Sequence, residues 1–145
     1  MQPSVRNDYL TTEVMTATPQ KLQLMMIDAA LRLAGQARLG WQEGNDETAH
    51  DALVRCQQIV TEMICGLNPE KDADLVRKVA SVYLFVFRTL TTAQIERDEV
   101  KLTEAISILE VERETWQQVC DQLGTAPPSA QLAATPGSLP TSLEA

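Results

Sequence analysis

The chain has 145 residues and a mass of 16.0 kDa, the size of one domain that can bury a core without disulfides or metals. Its 12 basic and 20 acidic side chains give a formal net charge of −8. That balance argues against a nucleic-acid partner and against docking on anionic lipid, both of which need a basic surface. Cys56, Cys65 and Cys120 fall inside helical patterns, are odd in number and lack metal spacing. Free, mostly buried thiols in a reducing cytoplasm are the expectation. No basic segment followed by an apolar run opens the chain, so no secretory signal is expected. No apolar stretch reaches the ~20 residues of a bilayer span.

Residues 1–17 read as a mixed leader, with Tyr9, Leu10, Val14 and Met15 as its apolar contacts. Thr18 is a good N-cap, and Pro19 follows at the first helical position, where its missing N–H costs nothing. Leu22, Met25, Met26, Ala29, Ala30, Leu33 and Ala37 then recur at three- and four-residue steps, and Leu24, Ile27 and Leu31 widen the stripe. Gly35 interrupts this helix and marks an expected close approach of a neighbour; Gly44 is its expected stop.

Asn45 or Asp46 caps the second helix, whose stripe is Ala49, Ala52, Leu53, Cys56, Ile59, Val60, Met63, Ile64 and Leu67. Asn68 with Pro69, or Asp72, opens the third, which runs through Leu75, Val76, Val79 and Ala80 to about Ile95. Asp98 caps the fourth, with Leu102, Ala105, Ile106, Leu109, Trp116, Cys120 and Leu123 as its stripe. Glu104, Glu110, Glu112, Arg113 and Glu114 are assigned to its polar face. Residues 124–145 hold four of the seven prolines and one charged side chain, Glu144, and read as a disordered tail. Short turns between helices of ~20–25 residues predict an all-α fold, an antiparallel up-down-up-down four-helix bundle over residues 18–123.

The third helix carries six consecutive apolar residues, Val82, Tyr83, Leu84, Phe85, Val86 and Phe87. A bundle helix needs one apolar stripe, so this run has more apolar surface than two neighbours easily cover. Tyr83 and Phe87 are four apart and share a face, while Phe85 lies on the other side. One set is expected to line a groove that takes a partner.

Catalytic and metal chemistry is not visible. His50 is the sole histidine and reads as a surface residue; with Glu47 it matches one Glu-x-x-His spacing, but no second histidine completes a carboxylate-bridged site. Ser81 and Ser107 have no evident base. No catalytic residue, metal site or cofactor is predicted. Trp41 and Trp116 read as core or edge anchors, and Arg88 and Arg113 as helix-surface charges able to meet a carboxylate.

The order Tyr9, Val14, then Thr16, Ala17, Thr18 and Pro19, then Leu22, Gln23, Leu24, Met25 and Met26 resembles the opening of the bacterial flagellin-specific export chaperones, the flagellar secretion chaperones. The turn Gly44, Asn45, Asp46 falls where that family turns between its first long helices. Residues 82–88 with Leu90, Ala93 and Gln94 resemble its third-helix signature, and Asp98, Leu102, Ala105, Leu109, Arg113 and Trp116 its closing helix. Leu84 stands where the family usually has an acidic residue, Gln94 where it has Asn, and Lys21 where Glu usually completes a capping box. The resemblance implies a cytoplasmic, non-enzymatic chaperone. It would bind the disordered C-terminal segment of new flagellin, prevent premature polymerisation and deliver it for type III export, meeting the export apparatus only indirectly. On that reading Ile59, Met63, Tyr83, Leu84, Phe87 and Ile108 lie in or near the cargo groove, and Tyr9, Leu10 and Val14 form a lid over it. A monomer or weak homodimer is expected. The alternative is a helical module that self-associates through the third helix and carries no cargo.

Overall fold

The computed structural model describes residues 11–12, 14–70 and 72–124, and every regular element among them is helical. Four long helices dominate: α1 (Pro19–Gln42), α2 (Asp46–Cys65), α3 (Ala73–Glu96) and α4 (Glu99–Gly124). Their starts follow the cap signals. Thr18 accepts from the Lys21 amide at 3.1 Å, Asn45 from Thr48 at 3.1 Å, and Asp72 from Leu75 at 3.2 Å. Asp98 accepts from both Val100 and Lys101. The two open choices thus resolve to Asn45 and Asp72.

α1 stops in a Schellman arrangement. Asn45 N–H reaches the Gly40 carbonyl at 2.7 Å, Gly44 N–H reaches that of Trp41, and Gly44 takes the left-handed φ of 75° that the motif requires. Arg97 plays the corresponding role after α3 with φ 52°, a conformation that costs a side-chain-bearing residue more than glycine.

Contacts between helices give the pairing. α1 lies against α2 and α4, and α3 lies against the same two. Cys56 Sγ donates to the Ala30 carbonyl, and Gly40 meets Ala49, so α1 and α2 run antiparallel. Arg113 pairs with Asp28 and Arg38 donates to Thr103, which fixes α4 antiparallel to α1. Gln57 donates to Thr91, and Gln94 meets His50, doing the same for α2 and α3. Small residues bring α1 and α2 close: Ala30, Ala34, Ala37, Ala49 and Ala52 are all buried. The close approach is at Gly40, not at Gly35. A Cβ on Gly40 would sit 3.0 Å from the Ala49 nitrogen and 3.1 Å from the Asn45 carbonyl oxygen, whereas one on Gly35 would point into open space. The core joins Leu24, Ile27, Leu33, Leu53, Val60, Met63, Tyr83, Val86, Leu90, Leu102, Leu109 and Trp116. Of the cysteines only Cys56 is buried; Cys120 is half-buried and Cys65 exposed, a correction to the expectation that most are enclosed. Burial pushes the Cys56 thiol up to about 12, so it stays protonated and inert.

Candidate functional site

The six apolar residues of α3 are distributed by the 100° step of the helix. Tyr83 and Val86 point inward and are fully buried. Leu84 and Phe87 share a flank with Thr91 and Gln94, at steps of three, four and three. Because Thr91 and Gln94 bond across to Gln57 and His50, that flank borders α2. Val82, Phe85 and Thr89 form the opposite flank, toward α4. There the facing stripe is Ile108, Val111 and Thr115, since Thr103 and Arg113 mark the side of α4 that meets α1. The run therefore supplies one core stripe and apolar walls on the two outer flanks of α3.

These walls are apolar and open. Leu84 is 40% exposed, Phe85 49% and Val111 64%. Phe87, Ile108 and Ile59 are half-buried and pack against the core. Met63 and Tyr83, expected in the groove, are enclosed completely. They back the walls from inside and have no surface for a guest, because each sits on the innermost line of its helix. Phe85, which is not among the expected groove residues, is 49% exposed, more than any other Phe, Tyr or Trp among the described residues. Val14 is exposed; Tyr9 and Leu10 lie outside the described residues.

Behind these walls lies a polar centre. The Tyr83 hydroxyl accepts from Trp116 Nε1 at 2.9 Å and from Gln23 Nε2 at 3.2 Å. Close to this hydroxyl stands Glu112, expected from the sequence on the polar face of α4 but only 4% exposed. One Glu112 oxygen, Oε1, is buried without a hydrogen-bond partner. Burial raises the Glu112 carboxyl above its ordinary range, and the hydrogen bond with Tyr83 pulls the other way. The Tyr83 phenol is raised too, first by burial and then by the facing Glu112. This network ties α1, α3 and α4 together at one level. Periodicity held the missed signal: Ala105, Leu109, Glu112 and Trp116 follow each other at core spacing. So do Gln20, Gln23 and Ile27 on α1, where both glutamines are buried.

No group of three or more His, Cys, Asp or Glu among the described residues could hold a metal ion, and none of the helices is long and apolar enough to cross a membrane. His50 is exposed and bonded to Gln94, Arg113 is engaged by Asp28, and Trp116 is wholly interior.

An all-helical protein with a hydrogen-bonded polar centre and apolar side chains left on both outer flanks of its third helix is the class that this geometry defines. The family model described as flagellar protein FliS matches residues 1–123, and the chain belongs to that family. It is similar to the flagellar secretion chaperone FliS of Bacillus subtilis, 27% identical over 76% of this chain and 81% of the relative. Similar too are those of Salmonella typhimurium, 27% identical over 73% and 79%, and Campylobacter jejuni, 25% identical over 78% and 88%. The relatives carry the name of a chaperone, not of an enzyme.

Proposed function

We propose that this protein is a cytoplasmic chaperone that holds the C-terminal segment of newly made flagellin along the outer flanks of α3, keeps it from polymerising and hands it to type III export. The supporting observation is the exposure of Leu84, Phe85 and Val111 outside a core that is already complete without them. Filament subunits associate through apolar helices, so a free subunit needs a substitute apolar surface. Two apolar flanks suit a segment that folds as it binds, where the ordering cost of ~2–5 kcal/mol keeps the complex releasable.

In this reading residues 18–123 are an antiparallel up-down-up-down four-helix bundle. Residues 1–17, with Tyr9, Leu10 and Val14, are a lid that covers the groove until cargo displaces it, and residues 124–145 are a tail outside the chaperone domain. Leu84, Phe87 and Ile108 keep their place in the cargo surface, Ile59 borders it, and Phe85 joins it. Co-expression with flagellin from the same genome tests this. The two should co-purify, and deletion of flagellin's C-terminal segment should abolish the complex; retention after that deletion would refute the assignment. Exposed Leu84 and Phe85 also support a second reading, self-association through α3. Sedimentation separates the two, since a stable dimer that excludes the flagellin segment belongs to self-association alone.

A further inference from the structure

Between Asp74 and Glu96, α3 carries three cations, Arg77, Lys78 and Arg88, and no acid, in a chain whose net charge is −8. All three are exposed and fall on the outward line of the helix with Ser81, Leu84 and Phe85, at steps of three, four and seven. Arg77 is occupied by Asp74, 3.3 Å away and one turn before it. Lys78 and Arg88 have no ion-pair or hydrogen-bond partner among the described residues. They bracket the apolar step, since Lys78 lies two turns before Phe85 and Arg88 one turn after it. The neighbouring helix adds no opposing charge there. On α4 the stripe facing this side, Ile108, Val111 and Thr115, is uncharged, and Glu104 before it is engaged by Lys101 at 3.8 Å. The exposed Leu84 and Phe85 thus sit between two free cations that are ~15 Å apart along the helix.

That placement limits what can cover Leu84 and Phe85. A guest with only apolar groups would strip water from the ammonium and guanidinium beside them without replacing it, which costs free energy. A guest with carboxylates at the same spacing pairs both cations at the rim. Anionic lipid and nucleic acid fit poorly, because two cations on an acidic protein offer too little counter-charge. We propose that the outward face of α3 from Lys78 to Arg88 takes an amphipathic helical segment whose apolar side chains seat on Leu84 and Phe85 and whose carboxylates reach Lys78 and Arg88. This rests on the chaperone reading above and gives its cargo a chemistry: acidic residues roughly three turns apart, beside the apolar stripe of the bound segment. Rim charges of this kind act on the encounter rate and the choice of partner more than on the lifetime of the complex.

The test titrates the full chain with the C-terminal segment of flagellin from the same genome at ~50 and ~500 mM salt. Lys78→Glu with Arg88→Glu should weaken binding about ten-fold at low salt and less than about three-fold at high salt, with helicity and melting temperature retained. Lys78→Gln with Arg88→Gln should act in the same direction and more weakly, and makes the test should the reversed pair not fold. A segment whose Asp and Glu are changed to Asn and Gln should bind the native chain more weakly, and that loss should not add to the loss from the glutamine pair. Binding that is indifferent to salt and to the reversal overturns the charge pairing and leaves the chaperone reading intact. A native chain that sediments as a dimer, and as a monomer after the reversal, overturns it as well, because a second copy then supplies the carboxylates. Absence of binding at either salt overturns both readings.

Discussion

Glu112 gives the sharpest test of the interior. Its side chain is 4% exposed, Oε1 has no partner, and no cation is among the groups that set its ionisation. A buried acceptor left unpaired costs ~1–3 kcal/mol, more when charged. The native carboxyl is therefore raised above the ordinary glutamate value of about 4.5, which describes it in the unfolded chain. The sign follows from linkage. Below about pH 4 both states hold the proton and the cost of burying the charge is absent. As pH rises through the unfolded value the unfolded chain releases its proton first, so stability falls until the native carboxyl ionises as well, and is level beyond. Glu112→Gln keeps the shape and cannot ionise. Chemical denaturation of both proteins across pH 4 to 8 should show the glutamine variant gaining on the native protein by about 1–3 kcal/mol over that interval. At about 2 kcal/mol the corresponding relative shift in melting temperature is roughly 4–8 °C. The difference should flatten at the upper end. A difference that stays constant across the interval, or one that moves in favour of the glutamate as pH rises, would refute the buried, uncompensated carboxyl.

Three further outcomes follow from the geometry. Tyr83→Phe removes the shared acceptor of Trp116 Nε1 and Gln23 Nε2 and leaves two interior donors unpaired, so denaturation should show a loss of ~2–4 kcal/mol; a loss under 0.5 would mean those bonds are not made. Gly40→Ala forces a Cβ to 3.0 Å from backbone and should cost ~1–3 kcal/mol. Gly35→Ala, facing open space in a helix interior, should gain ~0.5–1 kcal/mol in the same assay; equal effects at the two glycines would contradict the helix packing. Phe85→Ser and Leu84→Ser remove half-exposed apolar area, ~1 kcal/mol each, and should weaken the flagellin segment about five-fold singly with thermal stability within 2–3 °C of native.

The caps made the helix boundaries readable. Thr18, Asn45, Asp72 and Asp98 are short polar side chains before apolar periodicity, and each bonds an otherwise orphan amide, but only Thr18 and Asp98 lacked a rival, since Asp46 and Asn68 offer the same chemistry beside the other two. The site was only half readable for the opposite reason. Tyr83, Leu84, Phe85 and Phe87 are equally apolar in sequence, and which of them faces solvent depends on where α2 and α4 stand, a tertiary fact. Sharing a helix face does not say whether a neighbour covers it, so the sequence does not show that Phe85 is half-exposed while Tyr83 and Met63 are enclosed. Glu112, Gln20 and Gln23 were missed through their polarity, although their spacing placed them on the core line. Gly35 and Gly40 differ in packing, not in local sequence, so only the neighbouring helix could separate them.

The most direct test of the chaperone reading is calorimetric titration of this protein with the C-terminal segment of flagellin at several temperatures, repeated on the Leu84→Ser, Phe85→Ser double variant. The account predicts saturable one-to-one binding with a negative heat-capacity change, as apolar surface is buried and the segment orders, weakened at least ten-fold in the variant. No binding by the native protein, or native affinity in the variant, would contradict it.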